Sequence, residues 1–201
     1  MTQNLTIYVV DDDQDVRDSL KVLLEFADYN VRIFESAVKF LAADLHGIAG
    51  CLIVDIRMPD MDGLELQDEL LKREIDLPVI VITGHGDVPL AVRAMRAGAV
   101  DFLEKPFREE ALLEAIQRAF RHTPRRNAAK TDEVRARLEA LTEREREVLN
   151  LVVEGQTNKE VARVLDISPR TVDIHRAHVM EKMHAKTLAD LVRMALSIQR
   201  S

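Results

Sequence analysis

Three consecutive carboxylates, Asp11, Asp12 and Asp13, follow the apolar run IYVV directly, and Asp15 adds a fourth. Two such charges about 4 Å apart repel by about 1 kcal/mol in water and about 4 kcal/mol at an effective dielectric near 20. A bound cation, a raised pKa on one group, or splaying of the side chains into solvent would each offset that cost. Three other apolar runs end in residues of matching chemistry. Asp55 closes CLIVD ahead of the turn-rich loop IRMPDMDG, Thr83 closes VIVIT, and Lys105-Pro106 follow DFLE. Carboxylates, carbonyls and water make a hard oxygen set suited to Mg²⁺ or another divalent cation, and an aspartate beside such an ion can attack a phosphoryl group. Lys105 and Thr83 would then hold the new phosphate oxygens. A plainer role stands beside this one for Asp13 and Asp15. Both precede the helical pattern VRDSLKVLLEF and suit capping and the helix dipole. An EF-hand is excluded, because Val16 stands where its glycine belongs and Val22 where its bidentate glutamate belongs.

The elements that must position these groups alternate between short β-rich runs and longer helical patterns. Strands are expected near 6–10, 31–34, 52–55, 79–83 and 101–104. Such strand–helix units imply a parallel sheet with helices on both faces. Ligands of such sheets bind beyond the carboxyl ends of the strands, where strand order reverses. Asp11, Asp55, Thr83 and Lys105 all fall at those ends, so they converge without being near in sequence.

Charge divides the chain. Residues 1–121 carry 13 Lys and Arg against 23 Asp and Glu, net −10, whereas residues 122–201 carry 15 against 12, net +3. The acidic part favours cations; the mildly basic part is compatible with nucleic acid. The single cysteine, Cys51, rules out an intramolecular disulfide, and no Cys/His spacing suggests zinc. No apolar stretch approaches the roughly 18 residues a membrane span needs, and the start of the chain lacks a signal-peptide pattern. The expected address is the cytoplasm, with no membrane partner.

Around HTPRRNAAK the apolar pattern stops, as in a linker whose end is left open because DEVRARLEAL can already be helical, and only helical segments follow. Thr142 with Glu145, and Thr157 with Glu160, have capping-box spacing, and Ser168-Pro169 places a cap before a first-turn proline. About four helices are expected. In the helix after Ser168, Val172, Val179 and Met183 form a core stripe, leaving Arg170, Ile174, Ala177 and Glu181 opposite and Asp173 at the flank. A second helix after a short turn is the spacing of a helix-turn-helix, which places the start of that helix in a major groove.

The segments VVDDD, VDIRMPDMDG, VITGHGDVPLAV and AGAVDFLEKPF resemble the receiver domain of two-component response regulators, particularly those of the FixJ type. The stretch LTEREREVLNLVVEGQTNKEVARVLDISPRTVDIHRAHVMEKM is similar to the LuxR/NarL class of helix-turn-helix domains. The resemblance covers essentially the whole chain. It implies a doubly wound, five-stranded, flavodoxin/CheY-like α/β receiver over 1–121, a linker over 122–133 and a small all-α DNA-binding domain over 134–201. It also implies a set of roles. Asp55 is the phosphoacceptor; Asp12 binds Mg²⁺ directly, Asp11 through water, and the Arg57 carbonyl completes the set. Thr83 and Lys105 contact the phosphoryl group, Phe102 is an aromatic switch that turns inward on activation, and the Lys105-Pro106 bond is cis. On the tail, Asp173, Ile174 and Ala177 face bases, while Asn158, Lys159, Thr171 and Lys182 contact phosphates and Arg170 lies on the same face. Many members carry Lys where this chain has Asp173. A carboxylate there cannot attract a phosphate but can accept from a cytosine amino group, which puts any inherited target sequence in doubt. Arg176 falls nearer the core direction and suits a salt bridge or an edge phosphate. The implied activity is that of a phosphorylation-activated transcription regulator, an activator. A cognate histidine kinase, double-stranded DNA, RNA polymerase and a second copy of the chain on phosphorylation are its expected partners.

Two rivals carry discriminating features. A phosphatase of the haloacid-dehalogenase type needs Asp-x-Asp-x-Thr/Val after its first strand; Asp11 and Asp13 match, but Asp15 holds the last position and no cap domain is inserted. A signalling adaptor would use the helical tail on protein and fail to bind DNA at low salt.

Overall fold

A computed structural model describes residues 6–45, 49–84, 86–121 and 127–199, with the backbone alone for 127–132 and 199. The chain divides into two compact units, residues 1–85 with 97–122, and residues 86–96 with 123–201.

The first unit is built on one parallel sheet. Its strands are β1 (Thr6–Val10), β2 (Asn30–Phe34), β3 (Gly50–Asp55), β4 (Val79–Thr83) and β5 (Asp101–Glu104), in spatial order β2-β1-β3-β4-β5. Each lies within two residues of its expected position. Helices α1 (Gln14–Phe26), α2 (Ala37–Leu41) and α3 (Gly63–Lys72) connect the first four strands and α5 (Glu109–Phe120) follows the last; α4 (Val88–Arg96), between β4 and β5 in sequence, groups with the second unit. The central strands read as continuous apolar runs because both faces are covered. On one face Ile7, Val9, Cys51, Ile53, Ile80 and Ile82 pack with Leu20 and Leu24 of α1 and Leu112 and Ile116 of α5. On the other, Tyr8 meets Phe40 of α2 edge-on at 5.9 Å. Strand order reverses at β1, which pairs with β2 on one side and β3 on the other. Val10 stands opposite Val54 and Ile82 opposite Asp55. That register brings the next residues, Asp11 and Asp55, out side by side at the crevice where such sheets bind ligands.

The tail comprises α6 (Asn127–Glu139), α7 (Glu143–Val153), α8 (Asn158–Leu165), α9 (Pro169–Met183) and α10 (Leu188–Gln199). This is one helix more than the sequence pattern indicates. The expected linker, 122–133, is partly helical: 122–126 lie outside the described residues, and α6 begins at Asn127. Its sequence, NAAKTDEVRARLE, lacks a periodic apolar stripe over its first half, so hydrophobic spacing could not reveal it. Both capping boxes form, at Thr142 with Glu145 and at Thr157 with Glu160. Leu149, Val153, Val179, Met183, Leu191 and Ala195 share one core, and Val148, Val152, Val161, Ala162 and Val172 another. Between α8 and α9 the turn is three residues, Asp166 to Ser168, with Asp166 in the left-handed region at φ 53° and the Ser168 side chain accepting from Thr171 N.

Candidate functional site

At the carboxyl edge of the sheet, Asp11 is 1% exposed, Asp55 5% and Thr83 0%. Lys105 reaches across from β5, its Nζ 2.7 Å from Asp11 Oδ2 and 2.8 Å from Asp55 Oδ1. The backbone fixes the remaining carboxylate oxygens: Asp13 N donates to Asp11 Oδ1 at 2.9 Å, and Arg57 N to Asp55 Oδ2 at 2.7 Å. Lys105 N donates to Thr83 O at 2.7 Å, and the Lys105-Pro106 bond is cis. Burial raises the Asp11 pKa, only partly countered by Lys105 and the Asp13 amide. For Lys105, burial alone would lower the pKa; hydrogen bonds and charge from Asp11 and Asp55 outweigh it, and the ammonium is held protonated above its ordinary range.

The four aspartates at the end of β1 divide their work. Asp13 caps α1, its side chain accepting from Asp15 N at 2.8 Å and Val16 N at 3.4 Å, and Asp15 lies in the first turn of that helix. Capping therefore holds for Asp13, and Asp15 has the position that suits the helix dipole. Asp12 is exposed. The loop after Asp55 is held by close packing: a Cβ on Gly63 would lie 2.4 Å from Asp55 O, so only glycine lets α3 start against the strand end. Asp62 caps that helix in a box with Glu65.

The oxygen set fits a hard divalent cation. Asp11, Asp12 and Asp55 carry three negative charges against one ammonium, and the two buried carboxylates converge within hydrogen-bond reach of one point. Asp11 and Asp12 would hold such an ion with Asp55, and it would neutralise charge on an incoming phosphoryl group. A finished cage is not preassembled: among the described residues no three carboxylate, imidazole or thiol groups stand together as ligands. Lys105 occupies the space between two of the carboxylates, and Asp12 points its charge to solvent, which suits an ion that keeps several waters. Phe102 of β5, opposite Val81 of β4, is 9% exposed.

In the tail, Val172, Val179 and Met183 are buried, as the helical wheel requires. Arg170, Asp173, Ile174 and Ala177 are exposed, Ile174 at 51% despite being apolar. Lys159 is exposed near the start of α8, and Thr171 Oγ1 lies 2.8 Å from Ser168 Oγ. Asn158 donates its amide to Asp173 and accepts from Arg176. Lys182 pairs with Glu145 at 2.6 Å, so a DNA phosphate would compete with that carboxylate for it.

The family model for the response regulator receiver domain matches residues 7–117, and that for bacterial regulatory proteins of the luxR family matches 139–195. The transcriptional regulatory protein FixJ of Rhizobium meliloti (strain 1021) is 53% identical over 194 residues, 96% of this chain and 95% of that protein. This chain belongs to the response regulators of the FixJ type. The response regulator protein TmoT of Ectopseudomonas mendocina is 44% identical over 201 residues, 99% of this chain and 91% of its own. Among solved structures, full-length FixJ from B. japonicum is 44% identical, covers all of both chains and gives a TM-score of 0.57. The structure of FixJ-N is 49% identical, covers 61% of this chain and 98% of its own, and also gives 0.57.

The chain is therefore a phosphorylation-dependent transcription regulator of a two-component system, built from a CheY-like receiver and a luxR-type DNA-binding domain. It is not a metabolic enzyme. The dehalogenase-type alternative also fails locally, because Asp13 is spent on the α1 cap.

Three features of this response regulator escaped the sequence pattern. Asp101, wholly buried at the start of β5, pairs with Arg118 of α5, whose Nε donates at 3.0 Å. A charged residue opening an apolar strand was the available signal. Glu145 serves twice, accepting from Thr142 N in its capping box and from Lys182 of α9. Its hydrogen bond to Lys182, then that to Thr142, lowers its pKa to about 2. Arg176 bonds Asn158 and not a carboxylate directly; nothing in the sequence marks that pairing.

Proposed function

We propose that Asp55 accepts a phosphoryl group from a cognate histidine kinase, with Mg²⁺ held by Asp11, Asp12 and the Arg57 carbonyl. The Lys105 ammonium, bridging Asp55 and Asp11 at the edge of the sheet, is the observation that carries this reading. A carboxylate oxygen of Asp55 forms the new O–P bond as the P–N bond to the kinase's histidine breaks, and the donor on that oxygen, Lys105 Nζ or Arg57 N, gives way to the phosphorus. On this reading Lys105 and Thr83 hold the phosphoryl oxygens. The ion supplies charge neutralisation; the protein supplies position and a preformed donor.

Phosphorylation shifts the receiver only as far as the phosphoryl group binds one state better than the other. The shifted state pairs two copies, so that two α9 helices meet paired half-sites on double-stranded DNA and recruit RNA polymerase as an activator does. Slow loss of the phosphoryl group from Asp55 resets it. On this reading the receiver occupies 1–121, joined through 122–133 to the DNA-binding domain at 134–201. No helix among the described residues is long and apolar enough to cross a membrane, which supports a cytoplasmic address. Asp173, Ile174 and Ala177 of α9 face bases, Asn158 and Lys159 of α8 with Thr171 and Lys182 of α9 contact DNA phosphates, and Arg170 lies on the same exposed face of α9. Labelling with acetyl phosphate and Mg²⁺ tests the first step: Asp55→Asn abolishes it, and persistent labelling moves the acceptor elsewhere.

A further inference from the structure

Asp173 and Arg176 lie three residues apart on α9, the spacing at which opposite charges pair directly on a helix. Here an amide from another helix stands between them. Asn158, the first residue of α8, gives one Nδ2 hydrogen to Asp173 Oδ1 and takes a hydrogen from Arg176 Nη1 on its Oδ1. The chemistry of the three groups leaves one arrangement. A guanidinium only donates, a carboxylate only accepts, and an amide has one end of each kind. The amide oxygen must face Arg176 and its nitrogen Asp173; a flipped amide would lose both bonds.

The three groups differ in how firmly they are held. Arg176 and Asn158 are half-buried, and Asp173 is exposed. Burial pushes the Arg176 guanidinium pKa down, and the nearby charge of Asp173 partly counters it. Order therefore passes outward, from a guanidinium packed at the α8–α9 seam, through an amide of fixed orientation, to a carboxylate in solvent. The bond engages Oδ1 and leaves Oδ2 open to a donor from outside the protein.

We propose that Arg176 and Asn158 form a relay that orients the Asp173 carboxylate to accept from a cytosine amino group in the major groove, making both of them specificity-positioning residues. This rests on the reading of α9 as the recognition helix and Asp173 as a base reader. It gives Asn158, whose family role is to bind a phosphate, a second task inside the protein: its oxygen is engaged by Arg176 and one of its two amide hydrogens by Asp173. The two roles leave different signatures. Removing a phosphate-binding group weakens binding to every sequence and flattens the salt dependence, whereas removing a positioning group relaxes the preference at one base pair and leaves the salt dependence alone.

The test uses the full chain treated with acetyl phosphate and Mg²⁺. Selection from randomised duplexes defines the preferred site, and affinities for it and its single-base-pair variants are measured across a salt series. Asn158→Asp, close to isosteric but without the donor, and Asn158→Ala should each cut discrimination roughly fivefold or more at one base pair. That pair should be the one Asp173→Ala also relaxes, with the salt slope unchanged. Arg176→Met should do the same, and Arg176→Lys, which keeps a donor, should retain part of the preference. Lys159→Ala, the phosphate control, should weaken all sites alike and reduce the slope by about 1. The relay is overturned if the Asn158 variants behave like Lys159→Ala, or if Asp173→Ala relaxes a base pair that the Asn158 and Arg176 variants leave intact. Should Asp173→Ala leave every base preference unchanged, the base-reading assignment itself fails, and the relay with it.

Discussion

Lys105 Nζ stands 2.8 Å from Asp55 Oδ1 although fifty residues separate the two, and the same nitrogen lies 2.7 Å from Asp11 Oδ2. One ammonium thus binds the ends of β1 and β3 to the end of β5. It is the internal cation that lets two buried carboxylates share an edge.

Removing that cation should expose the repulsion. Lys105→Met leaves Asp11 and Asp55 facing each other, at a cost of about 2 kcal/mol, since Lys105 is partly open to solvent and the loss of a fully buried partner costs more. Thermal melts in EDTA should show the full loss and melts in Mg²⁺ a smaller one. Equal losses in both would mean that the ion does not replace the ammonium's charge.

Gly63→Ala places a methyl group 2.4 Å from Asp55 O, against backbone that cannot rotate away. Displacing the loop should cost about 1–3 kcal/mol as overpacking and slow phosphorylation by acetyl phosphate. A variant with wild-type stability and labelling rate would show that the start of α3 is free to shift without moving the acceptor.

The Asp101–Arg118 pair should show strong non-additivity. Arg118→Met strands a wholly buried carboxylate and should destabilise by about 3 kcal/mol, whereas adding Asp101→Asn should restore part of that loss. Chemical denaturation of both single variants and the double variant gives the coupling. Additive effects would mean that the pair contributes little beyond its separate parts.

Glu145 sets an acid limb. Its folded pKa, about 2, lies below its ordinary value of 4.5, so its stabilisation is complete above about pH 4.5 and is lost as pH falls toward 2. Hydrogen exchange of α7 and α9 should therefore differ between the wild type and Glu145→Gln at pH 6, with the gap closing below pH 4. A constant gap over that range would mean the Lys182 pair is not what lowers the pKa.

The convergence of Asp11, Asp55, Thr83 and Lys105 was legible because a parallel sheet gathers the carboxyl ends of its strands along one edge, whatever their order in sequence. The cap at Asp13 was visible as an alternative, and its neighbours' amides decide it. Which of Asp11 and Asp12 turns inward was not legible, because it depends on the register that sets Val10 against Val54 and on the reach of Lys105. The core stripe of α9 followed from period alone. The Lys182–Glu145 and Arg176–Asn158 bonds did not, since they join helices whose crossing no local pattern records. Residues 127–133 looked like linker because a polar helix start carries no hydrophobic period.

The central claim is that Asp55 is the single acceptor. Acetyl phosphate with Mg²⁺, followed by borohydride reduction of the acyl phosphate and peptide mass spectrometry, reads the acceptor directly as homoserine. The account predicts homoserine at position 55 alone. Homoserine at 11, 12 or 13 with position 55 unmodified would contradict it.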